Sequence, residues 1–177
     1  MQGDPGSLRV YSDSNLQLRY YQGPPGGLLR SLALSLVADL GYEHRGDAPS
    51  GWMGGVALAN RFDWSERWKS TLRADIFFDQ TQALTPRFPV GSPYPWPGTS
   101  PFLAGGVAAT VDYWPSPWVL TRLEYSHRQA NQPLFSGAGG ITGPGGQLPR
   151  SPAEQASFTP DLRPSDDRVM VNVTLRL

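Results

Sequence analysis

The feature that most restricts this chain is a two-residue alternation of apolar and polar side chains, repeated in run after run of about ten to twelve residues. A helix brings a side chain back to the same face only every ~3.6 residues, whereas an extended strand does so every second residue. The last run is the cleanest, with Val169, Val171, Val173, Leu175 and Leu177 set against Met170, Asn172, Thr174 and Arg176. The same pattern predicts strands over 16–21, 32–42, 52–64, 68–79, 103–113 and 119–128, seven in all. The second run admits a helical reading, since Leu28, Leu32, Leu36 and Leu40 recur four apart. Gly26 and Gly27 before it, Asp39 within it and strands on either side favour a strand.

Composition narrows the class further. The 20 Gly and 18 Pro would suit a disordered chain, but they cluster between the alternating runs, and 20 aromatic residues accompany them. Fifteen basic and fifteen acidic side chains leave no net charge, so nothing favours nucleic acid as a partner. The absence of cysteine and the presence of only two histidines, His44 and His127, leave little for a metal centre. No stretch approaches eighteen apolar residues, so a helical membrane span is excluded.

The connections alternate between short and long. QGPPGG, DWSER and WPSP are short, HRGDAPSG is intermediate, and the segments at about 80–102 and 129–167 are long and rich in Pro and Gly. Long unstructured loops are uncommon in compact soluble domains, whereas short turns at one end and long loops at the other are usual in transmembrane barrels. The aromatic residues agree: Phe62, Trp64 and Trp68 bracket one short turn, and Tyr113, Trp114 and Trp118 bracket another. Amphipathic rings favour the headgroup zone, so these six are read as one girdle. The expected fold is therefore all-β, an antiparallel up-and-down transmembrane β-barrel with its apolar rows toward lipid. A soluble barrel with those rows inside is the competing arrangement, able to hold an apolar ligand.

Seven strands is an odd number, whereas bacterial single-chain barrels have an even one. Residues 8–14 could supply part of an eighth strand, or residues 1–177 could form the C-terminal portion of a larger barrel; the expectation is the latter. No export signal precedes the first run, which agrees with it.

The segments GWMGGVALANRFDWSERWKSTLRADIFFDQ, RLEYSHRQANQPLF and DDRVMVNVTLRL together resemble the β-barrel porins of type 2, the OmpL-like group of Gram-negative outer membranes. The likeness spans about residues 16–177. It implies an outer-membrane, porin-like channel for small hydrophilic solutes or ions. Apolar residues at every second position from Leu177 back to Val169 fit recognition by the barrel-assembly machinery, although Leu177 stands where many such chains end in Phe.

In such a channel, Arg61, Lys69, Arg73, Asp75, Asp112, Arg122, Glu124 and Arg176 are the candidate pore-lining side chains. Arg73 with Asp75 and Arg122 with Glu124 sit two apart on one face and can also simply pair. The loop around Tyr94 and Trp96 either caps the outside or folds inward as a constriction. No catalytic residue, cofactor or metal ligand is assigned. Ser126 and His127 are adjacent and must point to opposite faces, and GAGG and GPGG lie in loops rather than between a strand and a helix. A non-conducting structural or adhesive barrel is the remaining alternative.

Overall fold

The computed structural model describes residues 7–46, 48–82, 101–140 and 160–176. Seven long strands form one antiparallel sheet: β1 (Ser7–Gln22), β2 (Ser31–Arg45), β3 (Ala48–Asp63), β4 (Trp68–Asp79), β5 (Phe102–Ser116), β6 (Val119–Ala130) and β9 (Ser165–Leu175). Each pairs with its neighbour in the order β1-β2-β3-β4-β5-β6-β9, so the sheet is a meander. It is open, with β1 and β9 at its two edges. A small hairpin, β7 (Phe135–Ser136) with β8 (Leu162–Arg163), interrupts the second long loop. The described residues contain no helix, and the region read two ways in the sequence is strand β2.

Several boundaries differ from those the alternation predicts. Residues 8–14 do not begin an eighth strand; they extend β1, with Ser12 and Ser14 paired to Leu40 and Ala38 of β2. Their polar run hides the continuation, because backbone pairing needs no apolar side chain. HRGDAPSG is likewise mostly strand, since β2 runs to Arg45 and β3 starts at Ala48. Within WPSP, β5 continues through Pro115 to Ser116. The ladder shifts register between Tyr113 and Ser116, the kind of irregularity that tolerates a proline without an N–H. The segment 83–100, with Tyr94 and Trp96 and the cap or constriction expected there, lies outside the described residues.

The short turns are held by local chemistry. In Pro24-Pro25-Gly26-Gly27 the Gly27 N–H donates to the Pro24 carbonyl at 3.1 Å and Gly26 has φ 79°, a conformation that suits a residue without Cβ. Between β3 and β4 the Ser65 hydroxyl oxygen accepts from the Arg67 and Trp68 N–H groups at 3.2 and 3.0 Å.

Register fixes which side chains share a face. One row runs Leu16, Leu36, Leu58, Ala74, Val107, His127 and Asp167 across all seven strands. It starts in the middle of β1 and leaves the sheet at the third residue of β9. The strands are thus staggered, as they must be when they tilt in the wall of a barrel. Among the described residues the predicted apolar rows fall on one face, apart from a bulge at Tyr20 that brings Tyr21 opposite Leu32, and none of their side chains is buried: Leu16 is 61% exposed and Val171 69%. The buried non-glycine strand residues Ser31, Glu43, Met53, Asp79, Phe102, Ala108, Ser126 and Ala130 all belong to the opposite, polar face. Side chains crowd on the concave side of a curled sheet and splay on the convex one. The sheltered side here carries the charges.

Candidate functional site

On the sheltered face the hydrogen-bond rows set unlike charges beside one another. At the turn end one row reads Ser31, Asp63, Lys69, Asp112, Arg122 and Asn172. Arg122 grips Asp112 with both arms of its fork, Nε to Oδ1 at 2.7 Å and Nη2 to Oδ2 at 3.0 Å. Bidentate geometry of this kind is the strong form of the ion pair. Asp63 accepts from the Ser31 hydroxyl at 2.7 Å and from Arg61 Nε at 3.0 Å, with Lys69 Nζ 3.8 Å away.

Farther from the turns, small residues alternate with long charged ones. Arg73 stands between Ala59 and Ala108, and Asp75 between Ala57 and Gly106. Small neighbours give an arginine room to lie along the wall. Of the two expected same-strand pairs, Arg73 with Asp75 forms at 3.2 Å. The second is replaced: Arg122 reaches across to Asp112, and Glu124 accepts from the Thr110 hydroxyl at 3.1 Å. Directly opposed side chains on antiparallel strands are closer than those two apart along one strand.

All eight candidate wall residues, Arg61, Lys69, Arg73, Asp75, Asp112, Arg122, Glu124 and Arg176, are brought to this face. Arg176 lies just past β9, where its guanidinium carbon sits 4.7 Å from the centre of the Trp114 ring. Trp114 therefore departs from the girdle reading. It shares a cleft with Lys69 and Arg176, on the side opposite Tyr113. Nearness to a turn suggested the girdle, but strand parity governs.

Of the other five, Phe62, Trp68 and Tyr113 lie at the turn end of the outer face, with Trp64 beside Phe62. Trp68 stacks on Tyr113 at 4.4 Å, Phe62 on Trp64 at 5.7 Å, and Trp118 is exposed at the β5–β6 turn. Trp64 Nε1–H donates to the Ser70 hydroxyl at 2.8 Å, an arrangement with a polar tip and an apolar body.

A second outer aromatic pair, Tyr42 with Trp52 at 5.0 Å, lies at the loop end, away from the short turns that mark the girdle in the sequence. Also at that end, Asp167 accepts from the Tyr125 hydroxyl at 2.7 Å and meets His127 Nδ1 at 2.9 Å. Ser126 is buried on the opposite face, so His127 serves this carboxylate and not the serine.

The roots of both long loops are fastened at the loop end of the sheltered face. Gln82 Nε2–H donates to Gln132 Oε1 at 3.2 Å in a buried bond. Asn131 donates to the Pro101 carbonyl at 2.8 Å and accepts from the Leu103 N–H at 3.0 Å. Phe77 and Phe102 meet at 6.0 Å beside them, and Met53 is fully buried there. Tyr11 covers Gly41 so closely that a Cβ on the glycine would lie 2.6 Å from the ring, an aromatic filling what glycine leaves open.

Outside the wall, in the β7–β8 hairpin, Asp161 accepts from Arg163 at 3.2 and 3.0 Å and from the Gly139 N–H at 3.0 Å. The Arg163 hydrogen bonds, then the one from Gly139, hold its carboxyl below the ordinary carboxylate range. Among the described residues no group of three acidic or histidine side chains is placed to hold a metal ion.

An antiparallel, staggered wall with apolar side chains outward, charges inward and aromatic residues at its ends is the architecture of a transmembrane β-barrel. The family described as "Putative beta-barrel porin-2, OmpL-like" matches residues 11–162, and the chain belongs to it. It is a porin-type outer-membrane barrel protein, and the family implies a Gram-negative outer membrane. Comparison with curated proteins and with solved structures gives no match.

Proposed function

We propose that the chain forms the wall of a passive aqueous channel that admits small hydrophilic solutes or ions across the outer membrane. The observation that carries this reading is the inversion of the two faces. A soluble barrel holding an apolar ligand would shelter its aliphatic rows, whereas here the charges are sheltered and the aliphatic rows are open. In lipid those rows would meet acyl chains, and the paired backbone of the sheet would leave few polar groups facing oil.

The inner charges would then be the lining. Asp63, Lys69, Asp112 and Arg122 alternate in sign along one row, so the field they cast on a passing ion reverses over a few ångströms. Such a lining favours water and polar solutes over apolar ones and gives weak preference between cations and anions. The protein's role on this reading is non-enzymatic: it contributes a hydrophilic path and a field. Lipid is the outer partner. The alternating edge strand β9 is the segment that the barrel-assembly machinery would recognise.

Reconstitution tests the proposal. The chain, folded in detergent and added to a planar lipid bilayer, is expected to give stepwise ohmic conductance with a reversal potential near zero in a salt gradient. A folded, heat-modifiable protein that inserts without conducting would point instead to a structural or adhesive barrel. A native chain soluble without detergent would defeat both membrane readings.

A further inference from the structure

We propose that the turn end of the sheltered face carries a binding site for a small oxyanion, a carboxylate or phosphate, formed by Arg67, Lys69 and Arg176 beside the Trp114 indole. A cleft of about 520 Å³ opens there, lined by Glu66, Arg67, Lys69, Trp114, Ser116 and Arg176 among others. Its charged lining is three cations and one carboxylate, and that carboxylate is engaged elsewhere: Arg30 Nη1 lies 3.2 Å from Glu66 Oε1.

The neighbouring acids are committed as well. Asp112 is held by both arms of Arg122, and Asp63 by Arg61 and Ser31, with Lys69 only at its margin. Among the described residues Arg67 and Arg176 have no carboxylate partner. Higher on the wall Arg73 meets Asp75 and Arg168 meets Asp166. The cleft thus gathers more positive than negative charge in one place.

Arg176 is also oriented. Its guanidinium lies over the Trp114 ring, which fixes the plane of the group while its N–H edges remain able to donate. A planar fork held in place, with a second guanidinium and an ammonium nearby, matches an anion with several acceptor oxygens better than a halide. The feature does not require the sheet to close or to conduct, so it stands apart from the channel proposal.

Calorimetric titration of the full chain, folded in detergent micelles, tests it. Sodium phosphate and sodium acetate are each compared with sodium chloride at equal ionic strength. Saturable binding of phosphate, acetate or both, weakened at least tenfold by Arg176→Gln together with Arg67→Gln, is expected. Arg73→Gln, whose arginine already has a partner, should leave the affinity within twofold. The proposal is overturned by heat signals identical in chloride, or by binding that survives the double variant. Heat-modifiable migration establishes that each variant is folded, and Arg67→Gln alone, a change in an exposed turn, repeats the test if the double variant does not fold. Binding without conductance would remove the channel reading and keep this site; conductance without binding would do the reverse.

Discussion

The two faces of the sheet obey opposite rules with the same backbone. On the outer face, identity matters little beyond being apolar: Val171, Leu123, Val111 and Leu58 share it without specific partners, and their exposure is what lipid would cover. On the sheltered face, identity is specific. Arg122 needs Asp112, Gly41 needs Tyr11, and Gln82 needs Gln132. The difference teaches that the energy of insertion comes from one face and the definition of the interior from the other.

The sharpest way to break this comparison is to exchange the rules on neighbouring residues of β9. Val171→Arg places a charge among the apolar rows and is expected to cost roughly 2–4 kcal/mol if it reaches the middle of the bilayer. Asn172→Arg, one residue on and facing the other way, should cost well under ~1 kcal/mol. Equilibrium folding into lipid vesicles, read by heat-modifiable mobility across a urea series, measures both; equal costs would mean that the faces are misassigned.

A smaller effect is expected from within the inner face. Asp112→Ala leaves Arg122 without its fork in a half-sheltered position, a loss of about 1–2 kcal/mol. A double-mutant cycle with Arg122→Ala, read by the same urea series, isolates the pair and should return a coupling of that order. Arg122→Gln frees the Asp112 carboxylate and is expected to move the reversal potential of a conducting barrel toward cation preference, at a stability cost no larger than that of Asp112→Ala. An unmoved reversal potential would take Arg122 out of the lining.

The mildest expectation concerns the β7–β8 hairpin, beyond the wall. The Asp161 carboxyl is held below its ordinary value, so its contribution is fully present above the unfolded-state value of about 4 and fades as pH falls through the folded one. Protection of the Gly139 amide, taken as hydrogen exchange relative to its intrinsic rate at each pH, should therefore fall in acid, and Asp161→Asn should remove that fall.

Much of this was legible in the sequence because a half-exposed strand writes its facing into every second residue. The seven strands, the apolar rows and the opposite facing of Ser126 and His127 follow from parity alone. What stayed hidden is of two kinds. The ends of strands, such as 8–14 and 48–51, carry Ser, Asp, Pro and Gly that look like turns, because near the rim pairing is by backbone and needs no apolar signal. Partnerships between distant residues, including Arg122 with Asp112, Asp167 with His127 and Arg176 with Trp114, depend on register, which alternation does not fix. Trp114 could have been placed by parity, for Tyr113 beside it already occupies the outer face.

The buried amide bridge between Gln82 and Gln132 joins segments fifty residues apart, one at the base of each long loop. Its consequence is mechanical. Together with the bonds of Asn131 to Pro101 and Leu103, the bridge ties the bases of the two loops to each other, so a deletion or insertion that drags one base out of place will disturb the other as well, and grafting onto either loop should begin beyond these bonds.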